Sequence, residues 1–151
     1  TQLAGFSSTE IGYFSATQFQ SITSGQLSGL TATQIKGLTT SQLAVMETSQ
    51  LSGLSSTQLS GLSSTQLKAM SDSAIVGLST SQFSGFTTAA VQGLTTTQIK
   101  GIETTDIAAF TSVQISGLTT TQLGSLNQAQ VQAFTTTQIS YMSTTQFAAL
   151  I

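Results

Sequence analysis

The sequence predicts an all-α fold: a solenoid of very short capped helices, one per eight residues, with about three repeats per superhelical turn. Three observations point there. First, an eight-residue pattern runs without insertion from Ser7 to Leu150, giving eighteen octads; Thr1 to Phe6 fit the last six places of a truncated unit, and Ile151 is left over. Second, counting from the residue that opens each unit, places five and eight are apolar in all eighteen. Third, place one is Ser or Thr in fifteen units and place four is Gln in fourteen. The expected organisation is one uninterrupted array over residues 1–151, without linker or inserted loop.

Each place has a physical reason. Ser or Thr followed three residues later by Gln or Glu, as in Thr95-Thr96-Thr97-Gln98, is a capping box: the first side chain accepts from a free N–H of the opening turn, and the fourth reaches back to the cap's own N–H. Glu10 and Asp106 at place four put negative charge in the first turn, where the helix dipole favours it, and Glu47, Glu103 and Asn127 bring acceptors to place one. Glu103 and Asp106 together are therefore expected to form a capping box. The apolar residue before the cap can staple onto place five of the next unit, as Leu94 onto Ile99. Gly at place seven suits a left-handed residue just past a helix end. About five to seven helical residues per octad are expected, fewer than the ~12 to 15 an isolated helix needs to be even marginal. No unit can stand alone.

Two other periodicities compete. A single continuous helix would need apolar spacings of three and then five, about 4.0 residues per turn, too far from 3.6 for an ordinary supercoil. A β-solenoid is the alternative fold, since Thr and Ile favour strands, but places five and eight have opposite parity and cannot both point inward from one strand. The superperiod is read two ways. Phe14, Phe86, Phe110 and Phe134 are separated by multiples of 24, which suits three octads per turn, whereas Lys36, Lys68 and Lys100 recur every 32. Core residues should match in size between neighbours, which favours three.

Composition excludes several functions. Three Lys against five acids give a net charge of −2, leaving no basic surface for nucleic acid. There is no Cys, His or Arg, so no thiolate or imidazole site exists and the many hydroxyls have no base to activate them. The chain is not expected to be an enzyme: no catalytic, cofactor-binding or metal-binding residues are assigned, and no small-molecule substrate is expected. Glu103 and Asp106, the closest acidic pair, offer too few oxygens for calcium. No apolar run of about 18 residues could span a membrane. Neither end looks like a polar capping repeat, so the array is expected to belong to a longer one or to stack end to end. Lys36, Lys68 and Lys100 at place six are expected on a solvated face. Tyr13 and Tyr141, replacing small residues at place seven, are expected to pack locally or to contact a neighbouring molecule. Thr at places two and three, such as Thr96, Thr97, Thr120 and Thr121, would form hydroxyl ranks along a regular solenoid.

Units such as Leu94-Thr-Thr-Thr-Gln-Ile and Leu118-Thr-Thr-Thr-Gln-Leu resemble the LTTxQ(I/V)xxL octapeptide arrays within very large exported bacterial surface proteins, some of them similar to RTX-type adhesins. The resemblance covers Thr1 to Leu150. It implies a structural rod or filament-forming segment of an extracellular or cell-surface assembly, self-associating end to end or side by side into a fibre; any export signal would lie outside these residues. The glycine- and aspartate-rich nonapeptides of RTX calcium repeats are missing, so calcium binding is not implied. The alternative is an adhesive or ice-binding surface formed by the Thr/Ser ranks.

Overall fold

A computed structural model describes residues 2–151. Among them are eighteen α-helices, from Ser8–Gly12 to Thr144–Ala148, preceded by a 3₁₀ turn over Gln2–Gly5; no strand is present, so the β-solenoid alternative falls. Number the octads 1 to 18 from Ser7. Each supplies one helix, and the helix of octad n packs on those of octads n−3 and n+3 along the coil. This is the short-helix solenoid the octad pattern implies.

The helices are four to six residues long, somewhat shorter than expected. The octad starting at Ser79 shows why. Ser79 is extended at φ −78°, ψ 158° and its hydroxyl accepts from the Gln82 N–H. The Phe83 N–H then closes the first turn on the Ser79 carbonyl at 3.0 Å. Three residues later the Phe86 N–H bonds the Phe83 carbonyl, also at 3.0 Å. That tighter bond, made also by the Leu94 N–H to the Val91 carbonyl at 3.2 Å where the helix has six residues, ends each helix before place eight, so none exceeds six.

The left-handed glycine cap is corrected by the structure. No described residue has positive φ, glycines included. Gly37 ends its helix at φ −78°, ψ −7°, ordinary right-handed backbone. Glycine is needed at place seven for close approach instead: a Cβ on Gly85 would lie 2.1 Å from the Ser56 carbonyl oxygen, and one on Gly53 would lie 2.4 Å from that of Ser24. In each case place seven presses on place two of the octad three back.

The core is the two apolar rows. Place five is fully buried from Phe19 to Leu67, and place eight is buried from Leu30 to Leu118. Each fully buried Leu, Ile or Phe stabilises by roughly 1.5–3 kcal/mol, and every octad from Leu27 and Leu30 to Ile115 and Leu118 contributes two buried residues. Phe83 at place five meets Phe110 at place eight of the octad three on, ring centroids 5.7 Å apart. At the ends the rows open: Phe6 is 40% and Phe147 45% exposed.

Glycines at the close approach and in open space should respond oppositely to Ala. Gly85→Ala is expected to lose about 1–3 kcal/mol by overpacking. Gly25→Ala, where a Cβ meets nothing, should gain about 0.4–1 kcal/mol by restricting the unfolded chain. Urea melts of the two variants check the opposed signs.

Candidate functional site: the glutamine row and the outer surface

Place four carries the chemistry that joins one turn of the coil to the next. At Gln114 the backbone N–H donates to Thr111 Oγ1 at 3.2 Å, and Oε1 accepts from the Thr111 N–H at 2.8 Å, completing the expected capping box. The side-chain Nε2 then donates to the carbonyls of Phe83 and Phe86, both at 2.8 Å. Those are places five and eight of the octad four back, the loose carbonyl end of another short helix. One carboxamide thus caps the start of its own helix and the end of another.

The arrangement recurs from Gln34 onward. Gln42 bonds the Ile11 and Phe14 carbonyls, Gln82 those of Leu51 and Leu54, Gln138 those of Ile107 and Phe110, and Gln146 those of Ile115 and Leu118. All these glutamines are buried, and no buried side-chain nitrogen or oxygen among the described residues lacks a partner. The capping half was legible from the octad. The interlayer half was not foreseen, although one signal pointed to it. Glu would cap equally well and suit the helix dipole better, so a strong preference for Gln asks for a donor.

The exceptions are informative. Ala74 and Ala90 leave the Ser71 and Thr87 caps in place but supply no interlayer donor. The expected Glu103–Asp106 capping box does not form: Glu103 makes no side-chain cap bond, and Asp106 is buried, accepting at 2.6 Å from the Thr80 hydroxyl on another layer. A carboxylate cannot donate to carbonyls, so it turns to a hydroxyl instead. Glu10 is exposed, and its carboxyl is held below its usual range, first by the Ser7 N–H and then by the Ser7 hydroxyl. Gln18 and Gln26 form their capping boxes, but their Nε2 groups have no partner among the described residues.

On the outside, Lys36, Lys68 and Lys100 are exposed at place six, as expected. Tyr13 and Tyr141 are 79% and 60% exposed, so local packing does not explain them. Place two is mixed: Ser8, Ser24, Ser56 and Thr88 are half-buried against place-seven glycines of the next layer, whereas Thr40, Thr104, Thr120 and Thr136 are exposed. Place three is exposed, as at Thr33, Thr65, Thr97 and Thr121, though Gly25, Ala89, Val113 and Ala129 interrupt it. A surface groove of about 670 Å³ runs along these rows between Thr65, Lys68, Thr95, Thr96 and Thr121. Among the described residues, no group of three or more His, Cys, Asp or Glu could hold a metal, and no helix is long and apolar enough to cross a membrane.

The donor can be tested by a near-isosteric change. Gln114→Glu keeps the cap acceptor but sets a carboxylate against two carbonyls in a buried position, and should cost about 3–5 kcal/mol. Gln18→Glu, with nothing beneath it, should change stability by less than about 0.5 kcal/mol. Equal effects in thermal or urea unfolding would show that the interlayer bonds are unimportant.

No curated protein and no solved structure matches the chain. A family model described as the ALTTAQ repeat matches residues 19–56, 43–80 and 99–136, well over half of the sequence. Each match begins at a place-five residue and takes in successive capping boxes of the same coil. The chain belongs to the ALTTAQ repeat family.

Proposed function

We propose that this chain is a rod or filament-forming segment of a bacterial cell-surface or extracellular assembly, and that it holds other parts apart rather than acting on a substrate. The observation that carries this is the identity of the layers. The same carboxamide bonds and the same two apolar rows recur from octad to octad, so the coil can lengthen without a new kind of contact. Stability in such arrays is a sum of repeat and neighbour terms, which suits a spacer of adjustable length. The exposed surface is mostly hydroxyls and amides, with 5% of all residues charged, so little like-charge repulsion opposes association. The exported, cell-surface setting rests on the resemblance of the octads to arrays in large bacterial surface proteins.

An adhesive or ice-binding face is the second reading, and the exposed place-three row, with Thr33, Thr65, Thr97 and Thr121, is the feature that favours it. It has less support. With a little over three octads per turn, consecutive place-three residues face different directions around the coil, and Gly25, Ala89, Val113 and Ala129 interrupt the row.

Small-angle scattering and negative-stain imaging of the purified chain should give an elongated particle of constant width. A compact, near-spherical particle would overturn the rod. Slowed ice growth by the monomeric rod would move the weight to the second reading.

A further inference from the structure

The glutamine row has three gaps, and they fall in alternate octads. Ala74, Ala90 and Asp106 hold place four of octads 9, 11 and 13, so no carboxamide serves the place-five and place-eight carbonyls four octads back from each. Because each glutamine reaches four octads back, a cut between layers is ordinarily crossed by four of them. A cut after Leu38 is crossed by the four from Gln42 to Gln66, and a cut after Phe110 by the four from Gln114 to Gln138. A cut after Leu78 is crossed by two, Gln82 and Gln98. No other side-chain hydrogen bond among the described residues spans it, since Thr48 bonds the Ser73 carbonyl below the cut and Thr80 bonds Asp106 above it. Close stacking is relaxed around octad 9 as well. Gly85 and Gly53 press on backbone, whereas Gly77 and Gly101 are exposed and their nearest neighbours in the adjoining layer are the side chains of Thr48 and Val76. The apolar rows run through unbroken, with Ile75, Leu78, Phe83 and Phe86 all buried, so the layers are closed at rest.

We propose that the layers from Met70 to Phe86 are a built-in yield point, where the coil parts first while the turns on either side stay folded. In a quasi-one-dimensional stack each layer contacts only its neighbours, so tension along the axis passes through every junction in series and the least bonded one gives way first. Apolar packing there is non-directional and holds no register by itself. Two carboxamides, with four strong bonds to carbonyls, do the work that four do elsewhere. Regions that open locally are drawn from the least stable part of a fold, and this junction is that part by its bonds. Its use as a tension relief rests on the rod reading, because only a rod joined to other parts is pulled along its axis. The low local stability does not depend on that reading.

Native-state hydrogen exchange of the unaltered chain reads the opening residue by residue. Backbone amides of Ile75 and Phe83 should be protected at least about tenfold less than those of Leu51 and Ile115, a dip between two better-protected stretches. The double variant Ala90→Gln with Asp106→Gln returns four carboxamides to the cut after Leu78 and should erase the dip. The converse variant, Gln50→Ala with Gln66→Ala, leaves two across the cut after Leu38, as the native junction has, so its fold should survive. It should lower the protection of Ile35 and Leu43 at least about tenfold and make a second dip there. If the filled variant does not fold, the converse variant decides. Stretching single molecules should show an early low-force step that the filled variant lacks. A profile rising to a single maximum near Leu78, a dip that persists in the folded filled variant, or no second dip in the converse variant each overturns the yield point and leaves the rod reading standing. Compact particles in scattering overturn the rod, and with it the tension relief, but leave the dip unexplained by any other gap in the row.

Discussion

The coil depends on one constraint: a helix of four to six residues has almost as many loose backbone groups as satisfied ones. An ordinary helix spreads that cost over several turns. Here the place-four carboxamide answers both ends at once, since its oxygen takes the N–H that opens one helix while its nitrogen serves the carbonyls that close another. Apolar burial at places five and eight supplies the main drive toward collapse, but it is non-directional and would accept many packings. The carboxamide bonds select one, because they form only when a helix start lies over the end of the helix four octads back.

That requirement also sets the pitch. Helix bodies stack three octads apart, whereas glutamines reach four back, and residues joined between layers lie 25 to 31 apart in sequence. One turn therefore holds more than three octads and fewer than four. The 24-residue spacing of the core phenylalanines follows the helix-on-helix step, and the 32-residue spacing of Lys36, Lys68 and Lys100 equals the glutamine step. Neither is a whole turn. A fractional turn brings each octad over two others.

Much of the fold was legible because capping is local. Thr95 and Gln98 are three residues apart and need nothing else to declare a helix start, and two invariant apolar places declare the core. What depended on layers was not legible. Gly85 looked like a conformational glycine, but the Ser56 carbonyl that excludes its Cβ is 29 residues away and invisible in the octad itself. Asp106 looked like a cap partner for Glu103 until the Thr80 hydroxyl of another layer was in place. At the candidate surface, the hydroxyl ranks were read as two rows from spacing alone, and close stacking half-buries part of one of them, as at Ser56 and Thr88. The bonding partners of the glutamine Nε2 groups were unreadable for the same reason, since nothing in eight residues says which carbonyls will lie beneath.

The central claim is that buried glutamine side chains hold the turns together. Side-chain amide exchange by NMR reads this directly, residue by residue, in the unaltered chain. Slow exchange at Gln42, Gln82, Gln114 and Gln138, with fast exchange at Gln18 and Gln26 under dilute, monomeric conditions, is the predicted result. Uniformly fast exchange of all these side chains in a folded chain would contradict it.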